Sequence, residues 1–173
     1  MSIKKIAFTN SDNQQLSARL ELPNHEKAHS YAIFAHCFTC NKNLLAVKNI
    51  ARALNNKGIA VLRFDFTGLG ESEGDFVDTN FTSNIQDPIS ASDFLTEHYQ
   101  APIGHSLGGA AVIYAAKEIE SILAVATIGA PSSPDHVQHL FKSDLDEIKR
   151  NGKVTVSIGG RDFNLKKRIF RRY

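Results

Sequence analysis

Gly104-His105-Ser106-Leu107-Gly108, with Gly109 and the apolar Ala110-Ala111-Val112 behind it, is the stretch that decides how this chain is read. It fits the G-x-S-x-G pattern, in which a serine sits on a sharp turn between a strand and a helix. Glycines on both sides suit that turn, because a residue without Cβ lets neighbouring backbone pass close while the serine Oγ is pushed into the open. A helix is expected over 107–119, so Leu107 would offer its N–H at a helix N-terminus, where the dipole and an unpaired amide favour a developing oxyanion. The bland explanation is a glycine-rich helix start with an incidental serine. His105 adjoins Ser106, but the turn aims its side chain elsewhere, so it is read as a packing residue rather than as the base.

The flanking sequence supplies the context that such a turn requires. Tyr31-Ala32-Ile33-Phe34-Ala35 and Ile59-Ala60-Val61-Leu62-Arg63-Phe64 are near-continuous apolar runs, the pattern of strands covered on both faces. Between them Leu44, Leu45, Val47, Ile50, Ala51 and Leu54 keep helical spacing, and Asn55-Asn56-Lys57-Gly58 stops that helix. A second helix is expected over 85–98, started or kinked at Asp87-Pro88. Residues 122–128 (ILAVATI) read as another buried strand and 154–158 (VTVSI) as a shorter one. At the N-terminus, apolar and polar positions alternate on both sides of the turn-forming Asn10-Ser11-Asp12-Asn13, which predicts an antiparallel hairpin. Strands alternating with helices predict an α/β fold: a mostly parallel sheet flanked by helices, with the hairpin at one edge. Residues 131–153 turn polar and helical, as expected of a lid-like insertion within one domain spanning 1–173.

Composition narrows the function classes. At 173 residues and 42% hydrophobic content the chain is long enough for a real core. Twenty basic residues against eighteen acidic ones leave a net charge of +2, too even to imply nucleic acid or an acidic membrane as partner. No apolar run approaches the roughly 20 residues of a membrane helix. Two cysteines, Cys37 and Cys40, are too few for a disulfide-stapled secreted scaffold, and a cytoplasmic location is expected.

Three stretches together carry a family resemblance: FAHCFTC over 34–40, RFDFTGLGESEG over 63–74 and IGHSLGGAAV over 103–112. The chain resembles α/β-hydrolases, and more narrowly the serine-hydrolase-like domain found ahead of OsmC-like domains. The likeness runs up to about residue 167. It implies ester or peptide hydrolysis of a small molecule through an acyl-enzyme on Ser106, with the amides of Phe38 and Leu107 as oxyanion hole and no cofactor or metal. An OsmC-like domain is the partner it implies, and an unfinished sheet edge would add self-association.

Two other patterns compete. Gly68, Gly70 and Gly74 follow a strand, but their spacing is not the G-x-G-x-x-G of a dinucleotide site. Cys37-Phe38-Thr39-Cys40 is a C-x-x-C between a strand and a helix, the context of a redox site, so a dithiol switch stands beside simple packing.

The resemblance also has gaps. In this fold the order is Ser, then Asp or Glu, then His. After Ser106 the histidines are His136 and His139, preceded by Asp135, and all three fall in the polar helical insertion. They are the candidate base and acid, although such spacing suits an exposed helix face. Asp162 follows the last histidine and so cannot complete the order. Pro102 cannot donate to a central ladder, so the strand before the serine is expected to be short. The closing C-terminal strands are expected to be missing, and the tail Arg168-Ile169-Phe170-Arg171-Arg172-Tyr173 fits a shifted reading frame. A non-catalytic truncated fragment or binding module is the alternative function.

Overall fold

A computed structural model describes residues 2–24, 27–36, 40–99, 103–107, 110–128, 150–158 and 161–166. Strands β1 (Ser2–Thr9) and β2 (Gln15–Leu22) form the expected antiparallel hairpin, in register from Ser2 opposite Leu22 to Thr9 opposite Gln15. The Asn10 side chain builds its turn: Oδ1 accepts the N–H groups of Asp12 (3.0 Å) and Gln14 (2.9 Å), and Asn13 takes a φ of 60°. The apolar runs become β3 (Ser30–Ala35) and β4 (Ile59–Phe64), with α1 (Leu45–Asn55) between them. α2 (Phe81–Tyr99), β5 (Ile103–Leu107) and α3 (Ala110–Ala115) follow.

The five strands lie in the order β1-β2-β4-β3-β5. β4, β3 and β5 run parallel, and the hairpin joins them through an antiparallel β2–β4 ladder. Alternation along β3 and β4 feeds two apolar layers. Ala32, Phe34 and Val61 meet Val47 and Ala51 of α1, whereas Tyr31, Ile33, Leu62 and Phe64 share a larger core with Leu95 of α2 and Val112 of α3. Helices therefore cover both faces, and the carboxyl ends of three parallel strands open at one end of the sheet. Among the described residues no helix is long and apolar enough to cross a membrane.

Four expectations need correction. α2 begins at Phe81, before Asp87-Pro88, because Asn80 and Ser83 cap one another: the Ser83 N–H donates to Asn80 Oδ1 (3.0 Å) and the Asn80 N–H to Ser83 Oγ (2.9 Å). The helix expected from 107 begins at Ala110, since β5 stays paired with β3 through Leu107 opposite Phe34. Residues 122–128 form nothing beyond an isolated bridge, with Leu123 75% and Ile128 70% exposed. A strand needs a neighbour, and among the described residues the sheet ends at β5, which pairs with β3 alone. Finally, the strand expected at 154–158 exists as β6 (Lys153–Ile158), but it pairs antiparallel with β7 (Arg161–Lys166) in a separate two-stranded sheet. Most of the expected insertion over 131–153 lies outside the described residues, and its last residue, Lys153, opens β6.

Candidate active site

Ser106 is the penultimate residue of β5, in register with Ile33, and Leu107 is in register with Phe34. One strand further along the sheet, Arg63 and Phe64 pair with Phe34 and Ala35. The chain leaving β3 at His36, the chain leaving β4 at Asp65 and the serine on β5 are thereby brought to the same carboxyl end of the sheet.

That end is held by a cluster of buried charges. Lys42 is 1% exposed. Its Nζ donates to Asp65 Oδ2 and to Glu71 Oε2 (2.7 Å), and its backbone N–H donates to Asp65 Oδ1 (2.6 Å). Asp65 is itself fully buried; its Oδ2 also accepts the Glu71 N–H (3.0 Å), and His36 Nε2 lies 3.6 Å from Oδ1. The His36 ring stands edge-on to Phe66, with centroids 5.2 Å apart. Beneath them Arg63 donates through Nη1 to the Lys42 carbonyl and through Nε to Glu21 Oε1 (2.5 Å). Buried charges survive only when paired and hydrogen-bonded, and this cluster supplies both.

Burial by itself would raise the Asp65 carboxyl, but the nearby His36 ring and the bonds from the Lys42 side chain and from the backbone N–H groups of Glu71 and Lys42 outweigh it. They hold the group well below the usual carboxylate range. The Lys42 ammonium likewise lowers Glu71. A second buried carboxylate moves the other way. Burial raises Asp87, although it accepts the Thr67 N–H (2.8 Å) and Thr67 Oγ–H (2.9 Å). Because the folded Asp65 titrates below its unfolded value, its contribution is fully present above about pH 4 and is lost as pH falls through the folded value. The stability difference between wild type and Asp65→Asn is therefore expected to be constant from about pH 5 to 7 and to shrink steadily below about pH 4. Urea titrations across that range measure it.

Of the residues expected from sequence, Ser106, Leu107 and Cys40 are described. Leu107 ends β5, two residues short of α3, so its amide sits on a strand end rather than on the first turn of a helix. Cys40 is disulfide-bonded. Cys37, Phe38, Asp135, His136 and His139 lie outside the described residues. Sequence reading missed the Lys42 cluster. Its signal was Arg63, a cation inside an apolar strand, which requires a buried counter-charge. Among the described residues no three His, Cys, Asp or Glu side chains converge as metal ligands would.

Comparison with known proteins sets this arrangement in context. The family model described as serine aminopeptidase, S33, matches residues 28–161. The mitochondrial palmitoyl-protein thioesterase ABHD10 of Rattus norvegicus is 31% identical over 110 residues, which are 63% of this chain and 35% of that protein. The Homo sapiens protein of the same name is 31% identical over 107 residues, 61% of this chain and 33% of its own. The chain thus spans about a third of these relatives. Among solved structures, the esterase domain of a Rhodothermus marinus protein is 44% identical with a TM-score of 0.70, covering 96% of this chain and 65% of that one. Mouse alpha/beta hydrolase domain-containing protein 10, at 17% identity and a TM-score of 0.70, shares the fold over 96% of this chain and 67% of its own.

Proposed function

The chain belongs to the serine aminopeptidase S33 family of α/β-hydrolases, and from that premise we propose that it hydrolyses small esters through an acyl-enzyme on Ser106. The observation that carries the proposal is the position of Ser106 at the carboxyl end of β5, beside the ends of the two parallel strands β3 and β4. Relatives described as esterase and palmitoyl-protein thioesterase favour ester over peptide as the bond cleaved.

In this mechanism Ser106 Oγ attacks the ester carbonyl while a base takes its proton. The amides of Phe38 and Leu107 hold the oxyanion, and the alkoxide leaves with the proton. Water then attacks the acyl-serine with the same base, releasing the acid and restoring Ser106. His136 or His139 supplies the base, and Asp135 orients it. Phe38 at the oxyanion turn favours an apolar acyl group. Low cysteine content favours a cytoplasmic setting, where a disulfide such as that at Cys40 is a reversible one, and an OsmC-like domain or a second copy is the partner proposed.

The test is reaction of the intact chain with a fluorophosphonate probe, located by peptide mass spectrometry. One adduct, on the peptide containing Ser106 and absent from Ser106→Ala, is the expected result. A folded, unlabelled chain returns the protein to the class of binding modules. The disulfide at Cys40 favours a second reading, in which Cys37 and Cys40 act as a redox switch.

A further inference from the structure

β1 is an outer strand of the five-stranded sheet, paired with β2 alone. The Asn10 N–H donates to the Gln14 carbonyl (3.0 Å), which continues the β1–β2 ladder one step past Thr9 opposite Gln15. The Asp65 N–H donates to the Ser17 carbonyl (3.0 Å), so odd-numbered residues of β2 bond on the β4 side and even-numbered ones face β1. Both bonds fix the same phase: even-numbered residues of β1 bond to β2, and the N–H and C=O groups of Ile3, Lys5, Ala7 and Thr9 point away from it. These four residues are exposed, and among the described residues no strand meets their row of backbone groups. An open edge of this kind is a template for another strand unless something blunts it.

On one face of the sheet α2 walls that edge. Asn10 reaches Asp87 (3.5 Å), Phe8 stacks on Phe94 with centroids 5.8 Å apart, and Lys4 Nζ lies 5.8 Å from the centroid of the Tyr99 ring. α2 therefore runs antiparallel to β1 over its even-numbered side chains. Strand and helix leave between them a groove of about 550 Å³, lined by residues 7–11 and by a face of α2 that carries apolar Ile89 and Phe94 and acidic Asp93 and Glu97. Both carboxylates are exposed. The complementary charge is on β1 itself, at its other end, as Lys4 and Lys5.

We infer that this edge takes β1 of a second copy, the two strands pairing antiparallel about a two-fold axis at Ile6 or Ala7. Lysines on an edge strand forbid such pairing when they meet one another. An axis at the middle of β1 keeps them apart: Lys5 of one copy falls opposite Ala7 or Thr9 of the other, and Lys4 opposite Phe8 or Asn10. Residues opposite one another share a face, so Lys4 of the second copy enters the groove on the α2 side, where Asp93 stands on the wall. Ile6, half-buried in the single chain, gains Ile6 or Phe8 of the second copy as an apolar neighbour. The charges select a second copy over a foreign basic segment, because both halves of the match lie in this chain and the two-fold axis uses each of them twice. The dimer gives the second copy proposed above a docking face and needs nothing of the acyl-enzyme reading, since β1 and the strand carrying Ser106 are opposite edges of the sheet.

Sedimentation equilibrium of the intact chain, over a concentration series reaching about 100 μM, reads the mass. A species of twice the 19.1 kDa chain mass is expected at the upper end. Ala7→Pro removes an N–H that points away from β2, so it spares the hairpin and takes one bond per copy from the dimer. It is expected to raise the dimer Kd about tenfold or more. Asp93→Lys and Lys4→Glu change exposed side chains and are each expected to weaken the dimer about tenfold, whereas the two together restore Kd to within about threefold of wild type. A monomer at every concentration, a dimer indifferent to Ala7→Pro, or single charge changes that the double variant does not rescue overturns the inference. A chain that stays monomeric yet binds a labelled alternating Lys-Thr peptide shows a foreign basic segment in the groove, which overturns the second copy as its occupant. If Ala7→Pro loses its far-ultraviolet circular dichroism, the charge exchange decides alone. Fluorophosphonate labelling of the same samples reports the acyl-enzyme reading separately, so either can fail without the other.

Discussion

Ser106→Ala is expected to lower ester hydrolysis by on the order of 10⁴-fold or more, to the rate that binding and oxyanion stabilisation give without a nucleophile. Methyl in place of hydroxymethyl changes little else, because Ser106 sits in a strand whose ladder with β3 is made by backbone. Melting temperature is therefore expected to stay within a few degrees, so the loss is chemical. The companion variants identify the base. A nucleophile and its base act as a unit, so the histidine that serves Ser106 is expected to cost nearly as much when replaced by alanine, and the other only a few-fold. Burst kinetics with p-nitrophenyl butyrate check all three variants. A loss with Ser106→Ala but with neither His136→Ala nor His139→Ala places the base on another residue or another chain.

The parts of this molecule that sequence foretold are those governed by near neighbours along the chain. The β1–β2 hairpin follows from alternation around an Asx turn, and β3, α1 and β4 follow from two apolar runs separated by one helical repeat. The misreadings arise where distant partners decide. Residues 122–128 have the composition of a buried strand, yet composition does not provide the neighbouring edge that a ladder requires. Leu107 reads as a helix start by motif, but pairing with Phe34 keeps it extended. Asp87-Pro88 looks like a boundary, whereas the Asn80–Ser83 cap begins the helix upstream and Asp87 turns inward onto Thr67. The place of Ser106 near the end of a strand was legible because its motif is local. Lys42 was not: between Asn41 and Asn43 it has the profile of a solvated loop residue, and only the fold brings Asp65 and Glu71 to it.

Gly70→Ala is expected to cost about 5 kcal/mol, enough to unfold a protein of ordinary stability under mild denaturant. Two effects combine there. Gly70 has a φ of +58°, a left-handed conformation that costs a residue with Cβ roughly 1–2 kcal/mol. Its Cβ would also stand 2.2 Å from Asp65 Oδ2 and 2.4 Å from Asp65 Cγ. Asp65 has no room to yield, because Lys42, Glu71 and His36 fix its carboxylate from several sides. Moving it separates a buried ion pair, which typically costs about 3–5 kcal/mol when one partner is left uncompensated. Gly152→Ala provides the control. That glycine also has a positive φ, +75°, but nothing lies within 4 Å of the added Cβ. It is expected to cost about 1 kcal/mol, from the backbone alone. Urea midpoints of the two variants separate the explanations: a large loss confined to Gly70 means that the loop after β4 is wrapped tightly on the Asp65 carboxylate, whereas equal small losses mean that the carboxylate is free to move and the cluster around Lys42 is looser than its distances imply.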